Sequence, residues 1–106
     1  MADDLLSILH KFDNTFSLNY NKYYIGLSKN GVSNNFLAFR PQKKALLFDV
    51  RLPRSDELTA EIESSGIDLV SYSTKHGRYR FRLEAQDVNE QKELLERLVR
   101  EAYEAL

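Results

Sequence analysis

The chain of 106 residues contains no cysteine and no tryptophan, and it has only two prolines and four glycines. Without cysteine it has no disulfide framework, no thiolate metal site and no thiol nucleophile. The histidines His10 and His76 lie far apart in the sequence, so they predict no histidine-rich metal site. No apolar run approaches the ~18 residues that a membrane span needs, and the acidic N-terminus does not resemble a signal peptide. We therefore expect a cytoplasmic protein without a metal or cofactor.

The composition is that of a globular protein. Hydrophobic residues make up 42% of the chain and charged residues 29%, which suits one domain over residues 1–106. The formal net charge of -1 argues against a protein that binds polyanions with its whole surface. It still allows a local basic patch, because a total charge hides asymmetry between faces.

Hydrophobic periodicity predicts an α+β fold with the element order α-β-β-β-α-β-β-α. Apolar residues at helical spacing predict a first helix over residues 3–13, ahead of a core over residues 20–104. Ser55 and Gly66 fit the two ends of a second helix, as its N-cap and its left-handed closing residue. The remaining predicted elements are strands over 23–27, 36–40, 45–52, 69–73 and 78–83 and a closing helix over 85–103. Short connections between strands predict a mainly antiparallel, five-stranded sheet with the three helices packed on one face.

Motifs for catalysis are missing from this pattern. The glycines form neither a dinucleotide-binding fingerprint nor a phosphate-binding loop, and there is no Gly-x-Ser-x-Gly elbow. The only Glu-x-Lys is Glu90-Gln91-Lys92, which lies on the last predicted helix and not on the strand that restriction-type magnesium sites require. We therefore predict a protein that is not an enzyme.

The segment HGRYRFRL carries the strongest functional signal. Arg78, Arg80 and Arg82 alternate with apolar residues, so one strand would direct all three guanidiniums away from the core. Asp49 and Arg51 of the third predicted strand should share that face. Like charges along a strand need either carboxylates on the neighbouring strand or an anion. The candidate anion-binding residues are Arg51, Arg78, Arg80, Arg82, Lys43, Lys44, Lys75 and His76, the last four at hairpin tips.

Several interpretations of this face are open. Nucleic acid is the favoured partner, because arginine forks match phosphate oxygens. The main alternative is a protein-interaction module, in which Tyr23, Tyr24 and the first helix contact a partner or a second copy of the chain. A third is a pocket for a small molecule or a carboxylate ligand under the arginines. A solvated, partly paired sheet face would need no ligand at all.

The segments YYIGL, NNFLAFRPQKKALLFDVRL, SGIDL, GRYRFRL and REAYE resemble a small domain of unknown function. That domain occurs at the C-termini of bacterial proteins described as transport-type or restriction-associated, and the resemblance covers about residues 20–104. The order of elements is also similar to that of the MmcQ/YjbR-like double-wing family of predicted DNA-binding proteins. This chain has Lys75-His76-Gly77 where that family tends to carry a His-Trp pair. The resemblance implies an accessory module and supplies no functional residues.

Overall fold

A seven-stranded antiparallel sheet organises the computed structural model, which describes all residues from 1 to 106. The strands are β1 (Phe16–Tyr20), β2 (Ile25–Lys29), β3 (Val32–Ser33), β4 (Leu37–Pro41), β5 (Leu46–Arg51), β6 (Asp68–Ser73) and β7 (Arg78–Leu83). The helices are α1 (Ala2–Leu9), α2 (Asp56–Ser65), α3 (Ala85–Glu90) and α4 (Lys92–Glu104). The spatial order of the strands is β1-β2-β4-β5-β7-β6, and β3 pairs only with β2.

The α+β class and the antiparallel open sheet are confirmed, but the predicted numbers of strands and helices and the predicted element order are wrong. The sheet has seven strands and not five, since β1 and the short β3 were not predicted. Helix α1 ends at Leu9 and not at residue 13, and Phe12 packs from the following turn onto Tyr103. The predicted closing helix is divided at Gln91, whose side chain amide donates to the carbonyl of Ser65.

The core lies between one face of the sheet and the helices. Tyr79, Phe81 and Leu83 of β7 are fully buried there, as their alternation with the arginines predicts. The Tyr79 hydroxyl accepts a hydrogen bond from the Ser55 N–H at 3.0 Å and lies 2.9 Å from the Thr59 hydroxyl. These contacts satisfy its polar end and fix the start of α2 against the sheet.

Helix α2 begins and ends where its sequence predicts. The Ser55 hydroxyl accepts from the Leu58 N–H at 3.0 Å, which makes it a side-chain N-cap. Gly66 ends the helix in the left-handed region at φ 89°.

A charged contact joins the first turn of the chain to the sheet and to the last helix. Lys29 donates to Asp13 at 2.7 Å, and the Tyr103 hydroxyl donates to the same carboxylate at 3.2 Å. The hydrogen bond from Lys29 is the largest cause that holds the pKa of Asp13 far below its usual range, and the hydrogen bonds from Thr15 are the next largest. This contact stabilises the helical side of the sheet.

The other face of the sheet carries no helix, because the buried side chains of α1, α2 and α4 all belong to one core on the opposite face. We call it the open face. The open face is the broad surface on which the arginine row of β7 is displayed.

None of the four helices is both long enough and apolar enough to cross a bilayer.

Candidate anion-binding face

Strand register fixes the neighbours of each arginine on the open face. Three rows of side chains cross the sheet. The first row contains Arg40, Leu47, Arg82 and Asp68. The middle row contains Ala38, Asp49, Arg80 and Ser71. The third row contains Arg51, Arg78 and Ser73. Each arginine of β7 therefore has a different environment.

Arg80, in the middle row, is neutralised by a carboxylate. Its Nε donates to Asp49 Oδ1 at 2.8 Å and its Nη2 to Oδ2 at 3.0 Å, which is the bidentate geometry that arginine and carboxylate favour. The hydrogen bonds to Asp49 raise the pKa of Arg80. The sequence predicted that each arginine of this row would be balanced either by a carboxylate on the neighbouring strand or by an anion. Arg80 is balanced by a carboxylate, that of Asp49 on β5.

Arg82 is partly compensated. Its Nη1 lies 3.5 Å from Glu84 Oε1, at the limit of a hydrogen bond, and both side chains are well exposed. Across the strands it lies between Leu47 and Asp68. An exposed ion pair of this kind contributes at most about 1 kcal/mol, so water or an anion competes readily for the guanidinium.

Arg78 has no carboxylate within ion-pairing distance. Its Nη2 donates to the main-chain carbonyl of Asn35, and Arg51 lies directly beside it on β5. Burial, followed by the charge of Arg51, lowers the pKa of Arg78. Arg51 and Arg78 are therefore two adjacent guanidiniums that form no ion pair.

Asn35 is the residue that orders this part of the face, and it was not predicted. Its Oδ1 accepts from the Leu27 N–H at 2.8 Å, its carbonyl accepts from Arg78, and its Nδ2 lies 3.4 Å from the Tyr24 hydroxyl. A Cβ atom on Gly26 would lie 2.2 Å from Asn35 Oδ1, so any larger residue there would displace the Asn35 side chain. A glycine inside a strand is a known signal of such close approach, and Gly26 was the available clue.

The cations of the two hairpin turns lie at opposite ends of the open face. Lys43 and Lys44 are in the β4–β5 turn, beside Leu46 and Leu83. Lys75 and His76 are in the β6–β7 turn, beside the Arg51–Arg78 row. We name the two groups the β4–β5 end (Arg40, Lys43 and Lys44) and the β6–β7 end (Arg51, Lys75, His76 and Arg78). These two groups have the Arg80–Asp49 pair between them, and Arg82 lies in the row of Arg40.

Charge is divided between the two layers of the molecule. The open face and its two turns carry eight lysines and arginines against Asp49, Asp68 and Glu84, a net charge of +5. The rest of the chain therefore carries -6, which gives the overall charge of -1. Six cations of the open face and its turns form no ion pair within 4.0 Å: Arg40, Lys43, Lys44, Arg51, Lys75 and Arg78.

A shallow cleft of about 250 Å³ runs along the open face and connects the two ends. Arg40 lines it at one end and His76 at the other, and the ring of Tyr24 forms part of its wall. A second, wholly polar cleft of about 230 Å³ lies on the β6 side of Arg78 and Arg80. The largest cavity, about 790 Å³, lies instead between α2 and the junction of α3 with α4, where Glu61 pairs with Arg97.

Tyr23 and Tyr24, predicted together for a protein interface, lie in different places. Tyr23 is 72% exposed in the β1–β2 turn, where the Lys22 ammonium lies 5.3 Å from its ring centroid. Tyr24 is half-buried on the open face. No group of three or more histidine, aspartate and glutamate side chains is placed to hold a metal ion.

Comparisons with protein-family models, with curated proteins and with solved structures found no match to this chain.

Proposed function

We propose that this domain is a non-catalytic binding module whose open face contacts the phosphates of a nucleic acid. The observation that supports this proposal is the set of six unpaired cations on a face of net charge +5, in a chain whose total charge is -1. The proposal places the protein in the cytoplasm, as predicted from the sequence, and keeps the accessory role that the family resemblance implies.

The chemistry of the β6–β7 end suits a phosphate group. Arg78 uses one of its five N–H donors on Asn35, so its other donors stay available to a ligand. Arg51 is exposed beside it and pairs with no carboxylate. Two neighbouring arginines bind phosphate oxygens by charge-assisted hydrogen bonds, and a bound phosphate would relieve the repulsion between them.

The distance between the two ends favours a polymer over a small anion. Strand β5 has six residues and separates the ends by about 17–20 Å. A nucleic-acid strand in a duplex offers one phosphate about every 3.4 Å along the axis, so one ligand reaches both ends. The cleft of about 250 Å³ is smaller than the roughly 300–1,000 Å³ of most small-molecule pockets, which disfavours the small-ligand interpretation.

The test is a fluorescence anisotropy titration with short single-stranded and duplex oligonucleotides at about 50 mM and about 200 mM salt. If all six unpaired cations contact phosphates, log K should fall against log salt with a slope of about -4 for single strands or about -5 for duplex. Binding that is absent at the lower salt, or that does not change with salt, would contradict the proposal.

Charge reversals locate the binding surface. Arg51→Glu and the double variant Lys43→Glu/Lys44→Glu should each weaken binding, because they affect different ends of the open face. Lys92→Glu is the matched control, since Lys92 is an exposed, unpaired lysine on α4. Arg80→Glu is unsuitable, because it would place a second carboxylate against Asp49. Equal weakening by Lys92→Glu would assign the effect to total charge and not to the open face.

The protein-interaction alternative has its own support in the β1–β2 hairpin. Tyr20 and Tyr23 are 71% and 72% exposed there, which is unusual for large aromatic side chains. If this hairpin binds a protein partner or a second copy, the complex should tolerate salt and be lost on Tyr23→Ala. Sedimentation velocity of the wild type and Tyr23→Ala at both salt concentrations measures the self-association.

A further inference from the structure

We infer that the nucleic acid bound by the open face is single-stranded and that one of its bases stacks on Tyr24 in the central cleft. This inference rests on the proposed function and adds the class of nucleic acid and the way in which it is held. It is carried by the position of one aromatic ring between two groups of unpaired cations.

The ring of Tyr24 lies along the open face over Gly26. Its Cε2 atom would lie 3.2 Å from a Cβ at that glycine, and its hydroxyl lies 3.4 Å from Asn35 Nδ2. The ring is therefore held against the backbone of β2, while its remaining surface lines the cleft. Tyr24 is the aromatic side chain of the open face, because the phenylalanines of β4, β5 and β7 are buried in the core.

The floor of the cleft beside Tyr24 is nearly neutral. Arg80 and Asp49 form a bidentate pair there, so the guanidinium plane of Arg80 is held by the carboxylate. Both an aromatic ring and an arginine plane are surfaces on which unpaired bases stack. Phosphates would not be drawn to this neutral centre, because the unpaired cations lie beyond it at the two ends.

This arrangement matches a single strand better than a duplex. Proteins that bind single strands combine a basic groove that follows the backbone with aromatic rings on which bases stack. In a duplex the base faces are stacked on each other, so Tyr24 would contribute nothing. The cleft connects Arg40 at one end with Arg78 and His76 at the other, which lets one strand contact both ends and place a base between them.

Sequence preference should be weak. Asn35 is the only side-chain amide in the cleft, and its Oδ1 already accepts from Leu27 while its Nδ2 faces the Tyr24 hydroxyl. It therefore has little capacity to distinguish one base edge from another. Stacking itself accepts every base, because each base has a π-face.

The experiment compares three oligonucleotides of equal length on the wild-type protein: a single strand, the same strand made abasic, and a duplex. The abasic strand keeps the phosphates and removes only the bases. We expect the single strand to bind about 5- to 150-fold more tightly than the abasic strand, the range given by stacking of one base. We also expect it to bind more tightly than the duplex.

Substitutions assign the effect to one ring. Tyr24→Leu should weaken binding of the normal single strand by the same factor and leave the abasic strand unchanged, whereas Tyr24→Phe should keep the wild-type affinity. Tyr23→Leu is the matched control, since Tyr23 lies outside the cleft. A thermal unfolding curve for each variant shows that it is folded.

The outcomes separate this inference from the proposed function. Equal affinity for normal and abasic strands, or tighter binding of the duplex, would overturn the single-strand inference and leave phosphate binding by the open face in place. Binding to none of the three oligonucleotides at low salt would overturn both. Loss of single-strand binding with Tyr23→Leu but not with Tyr24→Leu would overturn the inference that a base stacks on Tyr24 in the cleft.

Discussion

Replacing Asp49 by asparagine removes one negative charge from the centre of the open face and keeps the shape of the side chain. Asparagine retains one acceptor oxygen for Arg80, but it loses the second acceptor oxygen and the negative charge of the ion pair. Two opposite effects should follow from this one change. The domain should become less stable, and its affinity for a nucleic acid should increase.

The loss of stability is worked out from the geometry and exposure of the pair. A hydrogen bond to a charged group contributes about 1.5–3 kcal/mol when it is buried. The side chain of Asp49 is 16% exposed and that of Arg80 is 35% exposed, so solvent screens part of this energy. We expect a coupling free energy of about 1–2 kcal/mol, and a loss of stability of that size lowers Tm by about 4–9 °C at an unfolding entropy of about 2.1 cal/mol/K per residue.

The assay is a double-mutant cycle with Asp49→Asn, Arg80→Gln and the double variant, measured by urea unfolding and by anisotropy. Binding by Asp49→Asn should tighten, and its salt slope should steepen by about 0.7, because Arg80 becomes available for one more phosphate. A coupling energy below about 0.3 kcal/mol would refute the argument that the pair is held together in solution. Weaker binding by Asp49→Asn would refute the assignment of Asp49 as a charge that opposes the ligand.

Three further substitutions test the contacts that support the open face. Gly26→Ala should destabilise the domain by about 1–3 kcal/mol in urea unfolding, because the new methyl group displaces Asn35 from its half-buried hydrogen bond with Leu27. Lys29→Met should lower Tm at neutral pH, and this difference should shrink as the pH falls below about 4, because the stability from a depressed carboxylate pKa is fully present above the unfolded pKa of Asp13 and is lost as the pH falls toward the lower folded pKa. Ser55→Ala should cost about 1 kcal/mol through loss of the N-cap of α2.

Each of these three predictions has a result that would contradict it. Unchanged stability in Gly26→Ala would mean that Asn35 has another equally good position. A Tm difference between Lys29→Met and wild type that stays constant down to pH 2 would show that the Asp13 carboxylate is not the partner that matters. A loss well below about 0.5 kcal/mol in Ser55→Ala would show that water replaces the cap.

The sequence predicts those parts of the fold in which one local rule dominates. The alternation in β7 places the three arginines and the buried tyrosine correctly, since a strand has only two faces. Ser55 and Gly66 mark the ends of α2 by local hydrogen bonding and backbone conformation. Strand β1 was not predicted although Phe16 and Leu18 alternate with polar residues, because its pattern is only five residues long and follows closely on the helix predicted over residues 3–13.

The remaining features depend on contacts between distant segments. Strand β3 has two exposed residues and exists only because Lys29 and Ser28 pair with it. The pairing of Arg80 with Asp49 depends on register, which the sequence suggested but did not determine. The role of Asn35 depends on its side-chain Oδ1, which accepts from the Leu27 N–H in the place of a backbone carbonyl. No periodic pattern in a sequence signals such a contact.

The division of charge between the two layers also determines how the molecule approaches a ligand. A face of +5 opposed by a body of -6 makes the domain an electric dipole with almost no monopole. Its attraction to a polyanion therefore depends on orientation, and it fades beyond the Debye length of about 10 Å at 0.1 M salt. Within that distance the field would turn the open face toward a polyanion and the helices away from it.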